Sequence, residues 1–214
     1  MKIELKNVSK SFKKNLIINN ISATFESGHI YGFYGRNGSG KSVLQKIISG
    51  LYVPTSGSVI VDGVDINKEK IYPKNMRILI EKPAFFPDLS GLNNLKLLAD
   101  INKTIDENKI IETLELVNLK EEMNKKYSKY SLGMKQKLGV AQAIMEDPDI
   151  LILDEPFNGI EQATVDKLTK YLLKKKKEGK LIIISTHIRE DLTKLSDKIY
   201  VFDNGSIKET QNVK

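Results

Sequence analysis

The run Gly35-Arg36-Asn37-Gly38-Ser39-Gly40-Lys41-Ser42 constrains this chain more than any other feature. It matches G-x-x-x-x-G-K-[ST] and lies between the apolar segment 29-HIYGFYG-35 and the segment 41-KSVLQKIISG-50. In the second segment Val43, Leu44, Ile47 and Ile48 recur at helical spacing, and Gly50 stands where a helix stops. A strand, a glycine-rich turn and an amphipathic helix, in that order, make a cradle for phosphate. Glycines let the backbone curl until successive N–H groups point inward, and the helix adds its positive end. Lys41 then supplies a point charge for β- and γ-phosphates, and Ser42 a hydroxyl for Mg²⁺. A glycine-rich turn that matched by chance would need neither flank, so the context points to nucleotide binding.

A second feature supports the first. The apolar run 150-ILILDEP-156 ends in two carboxylates. In a parallel sheet, ligands gather beyond the carboxyl ends of the strands. Asp154 is therefore expected near the phosphate loop, holding Mg²⁺. Glu155 is expected one residue closer to the γ-phosphate, orienting and polarising an attacking water.

The rest of the chain reads as alternating elements. Residues 1–80 suggest short strands with turns, among them 2–9, 17–26 and 58–63. From about 90 to 145 the pattern is helical, with Asp106 a candidate N-cap for 106-DENKIIETLELVNL-119. Strand and helix alternate again after residue 150, as 150–155, 161–178, 180–185, 188–196 and 198–204. That order predicts an α/β fold with a buried, mostly parallel core sheet. The helical stretch, about 82–145, is expected as a subdomain inserted within one 1–214 domain.

Composition removes several alternatives. No apolar run approaches the roughly 20 residues that span a bilayer, and 1-MKIELKNVSKSF-12 lacks the apolar core of a signal peptide. Without cysteine there is no disulfide framework, thiolate metal site or cysteine nucleophile. A cytoplasmic location is expected. The 34 basic against 27 acidic residues give a charge of +7, which raises nucleic acid or an anionic surface as partners. Yet only Arg36, Arg77 and Arg189 are arginines, and bidentate base and phosphate reading favours arginine. The densest basic run, 174-KKKK-177, falls at the end of a helical pattern. It reads either as a solvated helix end facing the negative end of the dipole or as a contact for an anionic partner.

Taken together, these motifs resemble those of the ATPase subunits of ABC transporters over nearly the whole chain. Gly35–Ser42 is similar to the Walker A loop and Ile150–Glu155 to Walker B. Between them, 130-YSLGMKQK-137 resembles the family signature, with Ser131 and Gly133 on its most characteristic positions and Leu132 and Met134 in place of the usual Gly and Gln. His187, in 184-ISTHI-188, falls on the switch histidine, and Phe12, in 8-VSKSF-12, on the aromatic that stacks on adenine. Each residue also has a plainer reading: Ser131 as a simple helix N-cap, His187 as a structural histidine, Phe12 as core.

The resemblance implies a P-loop NTPase fold with an N-terminal antiparallel β subdomain and an inserted α-helical subdomain. It implies ATP and Mg²⁺ as ligands. It also implies a dimer, with itself or with a second ATPase chain, in which each nucleotide lies between the phosphate loop of one copy and Ser131 and Gly133 of the other. The motor would drive a separately encoded integral membrane permease from the inner face of the cell membrane, with no nucleic acid involved. Phe85 and Phe86, in 78-ILIEKPAFFPDL-89, are either part of the docking surface or core.

Two positions depart from the family pattern. Glu81 occupies the place of the usual lid-loop Gln, as in subunits that protect bacteria from lantibiotics and related peptide antibiotics, and is expected on the metal side. Glu161 replaces the usual Asp after Walker B. The competing class is an ABC ATPase acting on nucleic acid or ribosomes. Such proteins tend to carry two cassettes, long coiled-coil insertions or Cys-rich modules, and none is visible. The last strand pattern ends close to Lys214, so no regulatory extension is expected there.

Overall fold

The computed structural model describes residues 1–213. In chain order it runs β1 (Lys2–Phe12), β2 (Asn15–Glu26), β3 (Ile30–Tyr34), α1 (Lys41–Ile48), β4 (Ser56–Val61), β5 (Val64–Asp65), β6 (Met76–Leu79), α2 (Gly91–Asn102), α3 (Glu107–Leu116), α4 (Leu132–Ile144), β7 (Ile150–Asp154), α5 (Gln162–Lys177), β8 (Leu181–Thr186), α6 (Arg189–Leu195), β9 (Lys198–Asp203) and β10 (Ser206–Asn212). Single 3₁₀ turns at Lys120–Glu122 and Tyr127–Lys129 link α3 to α4.

Two sheets result. One is antiparallel in the order β2-β1-β4-β5; the other runs β10-β9-β3-β8-β7-β6 and is parallel except at β10. The β1–β2 hairpin is longer than the segments 2–9 and 17–26 suggest. Register shifts after Leu5, Val8 and Lys10 let it absorb polar residues, and Asn7 and Asn20 take φ of 49° there. Strand β10, SIKETQN, has no apolar alternation and was not expected; it joins the sheet edge through its backbone.

The central strands read as unbroken apolar runs because both faces of the parallel sheet are covered. Ile150 and Ile152 pack on the side of α1 and the antiparallel sheet, with Leu44, Ile47 and Phe25. Leu151 and Leu153 pack on the opposite side against α4, α5 and α6, with Leu138, Leu168 and Leu192. Each such fully buried side chain contributes about 1.5–3 kcal/mol.

The helical stretch is built on local caps. Ser90 Oγ accepts from Asn93 N at 3.1 Å, and Asp106 Oδ1 accepts from Lys109 N at 2.9 Å. Buried Asn94 pins the loop before α2, accepting from Phe86 N at 2.8 Å and donating to Phe86 O at 3.1 Å. Helix α4 packs on β6 and β7 as well as on α2 and α3.

Three lysines of the run at the end of α5 have acidic partners within the chain. Lys175 pairs with Asp147 and Glu178 at 2.7 Å, Lys174 with Glu178 at 3.7 Å, and Lys176 with Asp197.

Candidate active site

The phosphate cradle follows from close packing at glycine. A Cβ at Gly35 would stand 2.7 Å from Phe202 O, so no larger residue fits where β3 turns out of the sheet. Gly40 has φ 105°, and a Cβ there would meet Ile18 Cδ1 at 2.8 Å. Gly40 is also the N-cap of α1 and brings no capping side chain, so the first-turn N–H groups of α1 keep their capacity for an anion. Ser39 Oγ is buried without a hydrogen-bond partner among the described residues. An orphaned buried hydroxyl costs about 1–3 kcal/mol, and a phosphate oxygen would satisfy it.

Lys41 is buried and arches back over the loop, with Nζ donating to Gly35 O at 2.7 Å and Arg36 O at 3.1 Å. Burial pushes its pKa down, while the carboxylates of Glu155 and Asp154 push it up. A cavity of about 400 Å³ opens over this loop, lined among others by Ile17, Gly38, Lys41, Ser42, Asp154 and Glu155.

The sheet order brings the acidic strand end to the loop. Strand β8 lies between β3 and β7, and its Ser185 is in register with Asp154 while Thr186 is in register with Tyr34. Ser42 Oγ donates to Asp154 Oδ2 at 2.5 Å, and buried Ser185 donates its hydroxyl to Asp154 Oδ1. A hydroxyl and a carboxylate are hard oxygen donors, which suits Mg²⁺, an ion that usually takes one or two carboxylates and completes its shell with phosphate and water. No group of three or more His, Cys, Asp or Glu side chains among the described residues forms a metal cage.

Glu155 turns out of β7 at φ 48°, a left-handed conformation that an acidic residue adopts at some cost. Three contacts hold it there. Its N–H donates to Ser185 O at 2.9 Å, its carbonyl accepts from Gln136 Nε2 at 3.0 Å, and both carboxylate oxygens lie 3.0 Å from His187 Nδ1. His187, just past the end of β8, also lines a second cavity of about 660 Å³ with Gly35, Arg36 and Asn37.

Other residues singled out in the sequence stand apart from this cluster. Ser131 caps α4, its Oγ accepting from Met134 N at 3.2 Å. Gly133 has a packing reason: a Cβ there would stand 2.4 Å from Gly159 O, so the loop after Glu155 crosses directly over the helix start. Neither Ser131 nor Gly133 lines the 400 Å³ cavity. Phe12 is 41% exposed, which removes the core reading; Tyr52 meets it edge-on at 5.4 Å and Lys10 Nζ lies 5.0 Å from its ring. Glu81, at φ 67°, pairs with Lys46 rather than with Ser42 or Asp154. Phe85 packs against Tyr127 at 5.2 Å, whereas Phe86 is exposed.

Glu161 finds a partner within the chain. Lys137 on α4 donates to it at 2.7 Å and Thr164 at 2.6 Å, and these hydrogen bonds, Lys137 first, hold its carboxyl down at about 2.

Reading the sequence missed Gln45, Ser185, Gln136 and Lys137. Gln136 and Lys137 stand in the polar end of 130-YSLGMKQK-137, whereas Gln45 and Ser185 leave one trace, a polar residue inside an otherwise apolar segment. Buried Gln45 shows what that means: its Nε2 reaches Leu153 O at 3.5 Å and its Oε1 lies 3.3 Å from Ser185 Oγ, whose one proton goes to Asp154.

Comparison with known proteins bears on the family and the fold. A family model described as "ABC transporter" matches residues 18–158. An uncharacterized ABC transporter ATP-binding protein of Bacillus subtilis, YybJ, is 42% identical over 211 residues, covering 99% of this chain and 97% of that protein. The bacitracin transport ATP-binding protein BcrA of Enterococcus faecalis is 37% identical over 99% of this chain and 69% of its own length. The lantibiotic transport ATP-binding protein SrtF of Streptococcus pyogenes is 34% identical, with 96% of this chain and 88% of that protein covered. In fold, the chain is similar to a dimeric ATP-binding cassette, MJ0796, bound to ADP and Pi, with a TM-score of 0.89 at 21% identity and 99% of both chains covered.

Proposed function

This chain belongs to the ABC transporter family as an ATP-binding, ATP-hydrolysing subunit, and from that premise we propose how its residues divide the work. The observation that carries the reading is the convergence of Lys41, Ser42, Asp154, Glu155 and His187 on the carboxyl ends of β3, β7 and β8. The backbone of Gly35–Ser42 receives the phosphates and Lys41 meets the β,γ-oxygens. Ser42 and Asp154 hold Mg²⁺, with Glu81 on the metal side; the ion, when bound, neutralises charge developing on the phosphates. Glu155 accepts a proton from the attacking water, and His187 orients that carboxylate. Phe12, exposed and backed by Tyr52, offers a face for adenine to stack on.

Two cassettes pair head to tail, so that Ser131 and the α4 N-terminus of one copy close over the nucleotide of the other. Closure excludes water and completes the site. The helical stretch 82–145 transmits this movement to a separately encoded membrane permease. Support for docking comes from a groove of about 320 Å³ beside exposed Phe86, lined also by Phe85, Leu97 and Leu98. No helix among the described residues is long and apolar enough to cross a membrane. The proposed place of work is the inner face of the cell membrane, where ATP is available. The cargo class is peptide antibiotics, for which the names of the bacitracin and lantibiotic relatives are the support.

The test is co-purification. The Glu155→Gln variant, held with ATP in gently solubilised membranes, is expected to bring down a stoichiometric multi-span protein. Recovery of ribosomes or nucleic acid alone would overturn the transport reading.

A further inference from the structure

The lid-loop carboxylate has a partner that the assigned chemistry does not use. Glu81 follows β6 in a left-handed backbone conformation, and its carboxylate pairs with Nζ of Lys46. Lys46 lies on α1 four residues after Ser42, on the same face of the helix and about 6 Å further along it. The two side chains differ in burial. Lys46 is 15% exposed, with its ammonium 5.2 Å from the Tyr52 ring centroid; Glu81 is 67% exposed. Tyr52 in turn backs Phe12. A largely buried cation thus stands one helical turn from the hydroxyl that faces Asp154, with an exposed carboxylate resting on it.

We infer that Lys46 is a positioning residue for Glu81, parking its negative charge one helical turn away from Ser42 and Asp154 until the metal-loaded triphosphate draws it across. The inference rests on the ATP-binding reading given above. A glutamate at this place would repel the γ-phosphate if it were unpaired, and would compete for the metal if it were untethered. The Lys46 ammonium offsets the first effect and limits the second. The lid loop therefore has two charge-satisfied positions, and the exchange of Glu81 between them links loop movement to the metal rather than to ATP alone.

The test is a double-mutant cycle on the purified chain, read by binding of a fluorescent ATP analogue and not by turnover. Lys46→Met is expected to weaken analogue binding in EDTA about threefold to tenfold, because an unpaired carboxylate then faces the phosphates. The same variant is expected to lower the Mg²⁺ concentration at half-saturation by a similar factor. Lys46→Arg, which keeps the charge, should behave as the parent. In the Glu81→Gln background Lys46→Met should change neither quantity. Equal effects of Lys46→Met in both backgrounds, or none with Glu81 present, would overturn the inference and leave ATP binding intact as a reading. Failure of the parent chain to bind the analogue at all would overturn both. Melting temperatures confirm folding, and Lys46→Gln replaces the Met variant if that one does not fold.

Discussion

Both carboxylate oxygens of Glu155 lie 3.0 Å from Nδ1 of His187. A carboxylate accepts hydrogen bonds, so Nδ1 carries the proton, and in the neutral ring Nε2 is left as an acceptor. The pair therefore sets the direction of the base and the tautomer of the histidine together. Neither residue alone would do so, because Glu155 is on the β7 end and His187 on the β8 end.

Glu155→Gln keeps the shape and removes the base. ATP binding should persist while hydrolysis falls by roughly 10²–10⁴. His187→Ala should cost less, about 100-fold, because it removes orientation and not the base. Single-turnover hydrolysis with equilibrium binding on the same samples checks both. Near-parental turnover in the Glu155 variant would sink the assignment.

Gly133 is held by space and not by backbone conformation. Alanine in a helix ordinarily gains up to about 1 kcal/mol over glycine. Here its methyl would stand 2.4 Å from Gly159 O and must displace the loop that follows Glu155. Gly133→Ala should destabilise the fold by about 1–3 kcal/mol, a fall in Tm of several degrees for a chain of this size. A rise in Tm would show that the loop yields without cost.

Glu161 ties the loop after Glu155 to α4 through Lys137. Its folded pKa, about 2, lies below the ordinary glutamate value. Its contribution to stability is therefore complete above about pH 5 and lost as pH falls from there towards 2. Because the Glu161 side chain is 49% exposed, screening holds that contribution to about 1 kcal/mol. Urea unfolding at pH 7 and pH 3 should show this loss in the parent and a smaller one in Glu161→Gln. Identical slopes in the two chains would assign the acid sensitivity elsewhere.

Features coded by local spacing are legible in the sequence. The phosphate loop and its flanks occupy consecutive residues, as does the acidic end of β7, and Asp106 begins its helix as its side chain requires. The hairpin lengths and β10 were less legible, because bulges and an edge strand are satisfied by backbone pairing that leaves little trace in side-chain pattern.

By itself, then, the sequence determined that a strand-turn-helix would present backbone N–H groups to phosphate and that two carboxylates would end a buried strand, since both depend on neighbours within a few residues. Tertiary structure alone decided that β8 separates β3 from β7, so that Ser185 donates to Asp154 and His187 reaches Glu155. It alone chose Lys46 for Glu81 and Lys137 for Glu161 from 34 basic and 27 acidic side chains. Apolar periodicity says which residues are buried, but not which strands become neighbours. Opposite charges attract without regard to sequence distance, so only the packed backbone selects the pairs.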